Sequence, residues 1–398
     1  MISSTQHPAP AFRLVVNGLD ITPKINNRLI SLTLTDNRGL EADQLSINLT
    51  DHDGMLSIPP RGAELVLWLG WAGAGLTFKG SYTVDETEHS GAPDVLSIRA
   101  RSADMRAGLT RKRERSWHQV DLADIINTIA SAYSLRPVID IVLGGILLPH
   151  IDQADESDAN LLTRLAQDFD AITTVKAGHL LLMPVGASKT ASGINLPHIQ
   201  HTRADGDSHR FLQADRDTYT GVRAHYYNPN SAERLEALIG TDDNVKTLRH
   251  VYADQASALQ AVRSEWQRLQ RGVSTLSYTL ARGRADLIPE MTYSLSGIKQ
   301  PISDVVWLCR RVVHNLTDAG YTVDLELENQ LAEDEDLAAL VDTEYTGVMA
   351  WYRDKDGTQK KVTEGDQANP RRLTHLYASK KSAERAVERE FEKIGVIA

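Results

Sequence analysis

Histidine and aspartate supply the first residues whose type and spacing could do chemistry. His198 and His201 form an H-x-x-H pair in the segment PHIQH. Such a pair holds zinc when it lies on a helix with a neighbouring glutamate, but this short segment follows Pro197 and has no glutamate. The Asp-Gly-Asp segment at 205–207 lacks the remaining acidic positions of a calcium loop. We therefore expect a turn at 205–207 and no metal ligands in either segment.

The glycine-rich stretch at 70–75 and the single cysteine, Cys309, are the next candidates. The glycines follow a strand pattern and precede another strand, not a helix, so they predict a hairpin turn and not a phosphate-binding loop. Cys309 lies among apolar residues, which favours a buried side chain over a reactive thiol. No nucleophile motif stands out, and no stretch resembles a lysozyme or peptidase. The sequence thus predicts no catalytic, cofactor-binding or metal-binding residue, and no cofactor.

Charge and length narrow the class of protein. The formal net charge is −10 over 398 residues, which disfavours sequence-specific nucleic-acid binding because such binding usually needs a basic face. No apolar run is long enough for a membrane helix, so we expect no membrane insertion. The basic run at 111–115 reads as a solvated strip, with a contact to another subunit or protein as the alternative. A chain of this length predicts several domains.

Strand patterns dominate the first segment, residues 1–105. Ile30, Leu32 and Leu34 alternate with polar residues before an Asx/Gly turn, and Leu45 and Ile47 repeat that alternation. About six short strands follow one another at even spacing, which is typical of a small barrel or sandwich. We predict a first β-barrel here.

Residues 106–200 change period and predict an α/β module. One amphipathic helix is indicated around 122–133 and a second around 161–169, with Ser157 as its N-cap. Strand patterns return in 201–332, which predicts a second β-barrel interrupted by a strand-helix insertion at about 228–272. An acidic linker at 333–344 follows. The predicted fold class is α+β and β-rich, with two small antiparallel β-barrels, an intervening α/β module and a repeated strand-helix unit.

An internal repeat links residues 219–272 with the C-terminal residues 345–398. The segment YTGVRA at 219–224 recurs as YTGVMA at 345–350, and LRHVYA at 248–253 recurs as LTHLYA at 373–378. The helix after each copy keeps its apolar face and ends at a glycine, which predicts a C-cap. Each unit is too small to bury its own apolar face. We expect the copies to pack on each other or on the second barrel, with a separate partner for each as the alternative.

Four stretches resemble the late control gene D family of myovirus-type phages and prophages. They are LTLTDNRGLEADQLSINLTDHD with the later TVDETEHSGAPDVLSIRARSAD, PHIDQADESDANLLTRLA, TRADGDSHRF, and LQRGVSTLSYTLARGRAD. These matches span most of the chain. The C-terminal copy departs from the family, whose members tend to end soon after the strand that carries LELE.

The resemblance implies a structural hub of a contractile phage-type tail baseplate, similar to the T-even baseplate hub and to the N-terminal part of type VI secretion spike proteins. It implies a homotrimeric ring that adapts the hexameric tail tube, or a tube-initiator hexamer, to a trimeric central spike. The ring would surround the passage for DNA or the tape-measure protein and contact other baseplate proteins. We expect assembly in the bacterial host cytoplasm into a virion tail or tail-like particle. The specific interface residues stay open.

Two other functions remain compatible with the sequence. A peptidoglycan-degrading tail enzyme would need a specific acidic pair, which sequence spacing does not reveal. A hub-spike component of a type VI-like secretion system or tail-like bacteriocin would usually append a needle-like β-repeat, and residues after 330 contain none. We therefore expect a non-enzymatic protein with a separate spike.

Overall fold

The architecture follows from a computed structural model that describes residues 9–102, 108–176, 178–190, 193–213, 219–228, 233–332, 347–366 and 370–395. The chain is rich in strands with fewer helices, which confirms the β-rich α+β class. The predicted acidic linker at 333–344 lies outside the described residues. Within the described ranges, no helix is long and apolar enough to cross a membrane.

The first segment is almost entirely strand. Its described elements are β1 (Pro10–Val16), β2 (Leu19–Asp20), α1 (Thr22–Ile25), β3 (Leu29–Asn37), β4 (Gln44–Thr50), β5 (Glu64–Trp71), β6 (Gly75–Ser90) and β7 (Val95–Ser102). The predicted alternation is confirmed in β4, where Leu45 and Ile47 are buried while Gln44 is exposed. Alternate side chains of a strand point to opposite faces, so one face of this sheet forms the core.

The described part of the α/β module has two helices of three turns, one short helix and two small sheets. Its described elements are β8 (Lys112–Asp121), α2 (Leu122–Ala132), β9 (Arg136–Ile139), α3 (Ile141–Gly144), β10 (Leu147–Ser157), α4 (Asp158–Asp168), β11 (Ala171–Lys176) and β12 (His179–Pro184). Both predicted helices are present, and the Ser157 side chain caps α4 by accepting a hydrogen bond from the Asn160 N–H. β8 pairs with β10, and β12 lies between β11 and β9.

The second β-rich segment contains the insertion in its middle. Its described elements are β13 (His198–Thr202), β14 (Gly206–Gln213), β15 (Gly221–Asn228), β16 (Glu233–Gly240), β17 (Val245–Tyr252), α5 (Gln255–Gly272), β18 (Ser274–Leu280), β19 (Thr292–Ser296), α6 (Gln300–Ser303), β20 (Trp307–Thr317) and β21 (Gly320–Asn329). In β21, alternate residues from Tyr321 to Leu327 are buried, as the alternation predicts.

The prediction of two closed barrels is wrong for the described strands. Apart from β15, β16 and β17 of the insertion, which form a small sheet of their own, the described strands of both β-rich segments form one 13-stranded sheet, in which β3 pairs antiparallel with β20. Edge strands that would have closed each barrel on itself pair with each other instead, which satisfies their backbone groups equally well. The apolar residues of both segments accordingly share one hydrophobic core.

The described parts of the two copies of the repeat have the same strand order and pairing. The C-terminal copy consists of β22 (Gly347–Arg353), β23 (Gln359–Gly365), β24 (Pro370–Tyr377) and α7 (Lys380–Gly395). In both copies the first strand pairs antiparallel with the second and parallel with the third, and the parallel pairing has an irregularity at the same place. The described residues between the two matching segments of each copy are largely strand and include the hairpin strands β16 and β23.

Equivalent small residues face the sheet from both helices. Ala258 and Val262 of α5 are fully buried, as are Ala383 and Val387 of α7. The predicted glycine C-cap is wrong for α5: Gly272 is the last helical residue, and the following residue keeps right-handed helical dihedral angles. Each copy is thus a three-stranded sheet closed on one face by a helix.

Candidate functional site

The two histidines of the H-x-x-H segment do not share a site. His198 and His201 lie three residues apart on β13 and therefore point to opposite faces of the strand. His198 contacts the hydroxyls of Thr292 and Ser294 at 2.9 and 3.0 Å, and burial lowers its pKa to about 4. The described residues contain no group of three or more His, Cys, Asp or Glu side chains placed to hold a metal ion.

The turn predicted at 205–207 is only partly present: Asp205 ends a single 3-10 turn at Arg203–Asp205, and Gly206 and Asp207 already belong to β14. Asp205 accepts hydrogen bonds from the backbone N–H and the hydroxyl of Thr202, at 2.7 and 2.9 Å. These bonds lower the pKa of Asp205. The glycine-rich stretch is a hairpin turn between β5 and β6, where Gly73 and Gly75 have φ values of 81° and 84°. Both segments shape the backbone.

Cys309 is fully buried in β20. Burial raises the pKa of its thiol, so the side chain stays protonated and packs as a small apolar group. The prediction of a buried side chain is confirmed.

The basic run is only partly a solvated strip. Arg113 and Arg115 reach the carboxylate of Asp158, which is fully buried at the start of α4, at 3.1 and 3.2 Å. The Tyr133 hydroxyl donates to the same carboxylate at 2.7 Å. A buried carboxylate needs such partners because its desolvation is costly. Two of these arginines thus fasten β8 to α4.

A buried charge network lies where four parts of the chain meet. Arg38, in the turn after β3, contacts Glu290 at 2.6 Å and also pairs with Glu328 at the end of β21. Arg271, at the end of α5, pairs with Glu328 and makes two contacts with Asp170 of the α/β module, one of 2.7 Å. We call these five residues the charge junction. It ties the first β-rich segment, the α/β module, the insertion and the second β-rich segment together.

Glu290 is a buried member of the charge junction. Its second oxygen accepts a hydrogen bond of 2.7 Å from the backbone N–H of Gly186. Burial raises the pKa of Glu290, while Arg38 opposes that effect. The arginines stabilise the ionised form of Glu290, because an unpaired charge at this buried position would be strongly destabilising.

A second polar contact joins the first segment to the α/β module. Lys176, at the end of β11, pairs with Asp36 at 3.0 Å and with Asp43. Burial, together with the nearby charge of Asp36, raises the pKa of Asp43 to about 6. Lys176 lies opposite His179 at the closed end of the hairpin that β11 and β12 form.

The C-terminal copy docks through its main chain. The Leu376 N–H donates to the Gln330 carbonyl at 3.1 Å, and the Leu376 carbonyl accepts from the Val306 N–H at 3.0 Å. The Ala378 N–H donates to the Asp304 carbonyl at 3.1 Å. β24 therefore lies against the residues that enter β20 and leave β21. The expectation that a copy packs on the second β-rich segment is confirmed for this copy.

One solvent-facing patch crosses three neighbouring strands. Arg13, Trp68 and Phe78 lie side by side on β1, β5 and β6. The Trp68 and Phe78 rings are 5.5 Å apart, and the Arg13 guanidinium lies 5.0 Å from the Trp68 ring centroid. Phe78 is 56% exposed. Aromatic residues and arginine are enriched at protein interfaces. The sequence could have indicated this patch, because the large apolar side chain of Trp68 lies at an outward-facing position of the alternating pattern in β5.

A second exposed apolar patch lies on the α/β module. Ile141 and Val142 of α3 are 91% and 79% exposed. They border a groove of about 890 Å³ whose other walls include Phe169, Arg271 and Leu331. Exposed apolar residues beside a concave surface are typical of protein contact sites.

Comparison with known proteins identifies the family. The model of the phage tail baseplate hub (GPD) family matches residues 30–320. The probable baseplate hub protein of Escherichia phage 186 is 45% identical over 366 residues, which cover 82% of this chain and 94% of that protein. The family match ends before the C-terminal copy begins.

Solved structures show the same fold at low sequence identity. A tail protein from Neisseria meningitidis MC58 has a TM-score of 0.59 at 15% identity and covers 80% of this chain and 96% of its own. The Escherichia coli c3393 protein, a component of the type VI secretion system with structural similarity to the T4 tail proteins gp27 and gp5, has a TM-score of 0.50 at 11% identity. Its match covers 92% of this chain and 99% of that one.

The sequence match, the level of identity and the shared fold agree with one another. The chain belongs to the phage tail baseplate hub (GPD) family and is a structural component of the virion tail.

Proposed function

We propose that three copies of this chain form a closed ring that adapts the sixfold tail tube to the threefold central spike. A ring of three subunits presents six similar surfaces when each subunit carries two related lobes. The two lobes would be the β-rich segments on either side of the β3–β20 pairing.

The β3–β20 pairing is the observation that supports this proposal. Seven residue pairs, from Arg311 with Asn37 to Thr317 with Ser31, join the two segments into one sheet. On each side of the joint, two further antiparallel strands follow: β4 and β7 on one side, β21 and β18 on the other. The local arrangement is therefore alike on both sides. A continuous sheet also fixes the distance between the lobes, as a symmetry adaptor requires.

The patch of Arg13, Trp68 and Phe78 is the proposed contact between neighbouring subunits. An exposed aromatic pair loses much water-accessible apolar surface when a partner covers it, which stabilises the complex. The partner in this proposal is a second copy of the chain. The opposite face of the ring would hold the spike, and the passage would admit DNA or the tape-measure protein.

The mass of the native assembly tests the ring. We expect native mass spectrometry of the purified chain with its spike to give three hub copies, each of 44.0 kDa. Phe78→Glu should shift the assembly towards monomers, because a charge would then be buried at the contact. Met55→Glu, at another exposed apolar side chain, is the control and should leave the trimer intact. A monomer under all conditions would contradict the ring.

We further propose that the chain acts by shape and has no enzymatic activity of its own. The carboxylates of Asp170, Glu290 and Glu328 are largely shielded from solvent and pair with arginines of the charge junction, which favours a structural role for them. Incubation of the purified protein with bacterial peptidoglycan should release no soluble fragments. Release that disappears after substitution of a specific acidic pair would establish the enzyme alternative.

A further inference from the structure

We propose that His118 and His150 form a binding site for a divalent transition-metal ion on the surface of the α/β module. The two residues lie directly opposite each other on the antiparallel strands β8 and β10. Their Nδ1 atoms are 3.0 Å apart, and the ring centroids are separated by 4.6 Å. Both side chains are exposed, so an ion can reach them from solvent.

A carboxylate fixes the orientation of one ring. The Nε2–H of His150 donates to Oδ2 of Asp152 at 2.9 Å, and the Ser116 hydroxyl donates to Oδ1 of Asp152 at 2.7 Å. With its proton on Nε2, neutral His150 has a free lone pair on Nδ1. A carboxylate behind a ligating histidine is the usual arrangement in metal sites.

The ion replaces a hydrogen bond. Without metal, Nδ1 of His118 donates its proton to Nδ1 of His150. When the ion binds, the His118 proton moves to its own Nε2, which faces solvent, so both Nδ1 atoms become ligands and both rings stay neutral. The 3.0 Å separation then needs little change.

The separation also indicates the class of ion. Two nitrogens 3.0 Å apart, each about 2.0–2.1 Å from the ion, subtend an angle of roughly 90° at it. Square-planar and octahedral ions favour that angle, whereas tetrahedral zinc prefers a wider one. Cu²⁺ suits nitrogen ligands in tetragonal geometry and has the highest affinity among first-row divalent ions, and Ni²⁺ shares the geometry. The remaining positions would hold water or a donor from a neighbouring protein.

The site would clamp two strands that lead into helices. β8 continues into α2 and β10 continues into α4. A bound ion that links His118 and His150 would therefore restrain the start of both helices. Ligand binding to the folded state alone raises its stability, so metal should raise the thermal midpoint.

Titration of the full-length chain with CuCl₂ or NiCl₂ tests this proposal. We expect one saturable ion per chain, an electron paramagnetic resonance spectrum of Cu²⁺ with nitrogen ligands, and a higher thermal midpoint. His118→Ala and His150→Ala should each abolish the saturable site, and Asp152→Asn should weaken it by roughly tenfold to a hundredfold. His250→Ala, at another exposed histidine, is the matched control and should bind like the natural chain.

Three outcomes would overturn the site. The first is no saturable binding of the ion to the natural chain. The second is binding by His118→Ala and His150→Ala that equals binding by the natural chain. The third is a Cu²⁺ spectrum that shows oxygen ligands only. Circular dichroism of each variant checks that it is folded. Because both histidines are exposed, their substitution by alanine should leave the fold intact.

Discussion

The two copies of the repeat have one fold and two ways of attaching to the rest of the chain. The first copy, at 219–272, fastens its helix through Arg271, which pairs with Asp170 and Glu328 in the charge junction. The second copy, at 347–395 among the described residues, attaches through main-chain hydrogen bonds of β24 and through Arg385, which contacts Asp304 at 2.8 Å. A shared fold therefore does not imply a shared docking chemistry.

Equivalent positions show the consequence of this difference. Leu376 of the second copy is fully buried against residues 304–306 and 330, whereas its counterpart in the first copy, Val251, is 52% exposed. The outer strand of the second copy, β24, is thus covered at this position, whereas the outer strand of the first copy, β17, is open to solvent there. Exposed strand edges are natural places for another strand to pair. The repeat is therefore a unit of one fold that docks through different contacts, which depend on the residues around each copy.

The largest expected effect concerns the anchor of the first copy. Arg271→Leu leaves the largely buried Asp170 without its arginine partner and leaves Glu328 with Arg38 alone. Loss of one partner from a buried pair costs about 3–5 kcal/mol. Urea unfolding at neutral pH measures this loss. A cost below about 1 kcal/mol would show that the charge junction is not the anchor.

Next in size is a pair of matched core substitutions. Val262→Ala and Val387→Ala each remove two methyl groups at a fully buried position and should cost roughly 2 kcal/mol. Amide hydrogen exchange should show the effect of Val387→Ala within 347–395, with the main sheet unchanged. If exchange in β20 and β21 accelerates equally, the second copy is not a separate unit.

A pH effect should distinguish the copies. Burial lowers the pKa of His375 in β24 to about 4, from an ordinary value of 6.5. Because the undocked state takes up a proton more readily, docking should be fully stable above about pH 6.5 and weaken progressively as the pH falls towards 4.

The equivalent histidines provide the control. His375→Gln should flatten the pH dependence of thermal unfolding between pH 4 and 6.5, whereas His250→Gln in the first copy should leave it unchanged. An NMR titration in which His375 ionises near pH 6.5 would contradict the prediction.

The smallest effect is expected for the salt bridge of the second copy. Arg385 and Asp304 are 42% and 25% exposed at their side chains. An ion pair with this access to water contributes at most about 1 kcal/mol. Arg385→Leu should therefore shift the urea midpoint only slightly and less than Arg271→Leu does. Equal costs for the two substitutions would remove the distinction between charge docking and main-chain docking.

The periodicity of the sequence predicted most local elements. The alternation in β4 and β21 and the apolar spacing in α2 and α4 placed buried side chains correctly, because burial imposes a period of two on strands and 3.6 on helices. The repeat was also visible, since equivalent cores need equivalent small residues. The hairpin strands β16 and β23 were missed because their polar residues conceal the alternation.

The candidate surfaces were much less visible. The sequence left the interface residues open, and neither the charge junction nor the His118–His150 pair could be read from spacing. Arg38 and Glu290 are far apart in the chain, and each looks like an ordinary charged surface residue. Only their approach across the sheet removes them from water and makes their pairing necessary.

Sequence alone determined the family, the β-rich class and the repeat, because these depend on local patterns and on long ordered matches. Tertiary structure decided that β3 pairs with β20, which merges two expected barrels into one sheet. Any strand edge satisfies its hydrogen bonds equally well with a near or a distant partner. Local pattern therefore specifies a strand without specifying its neighbour, and the packing of the whole core makes that choice.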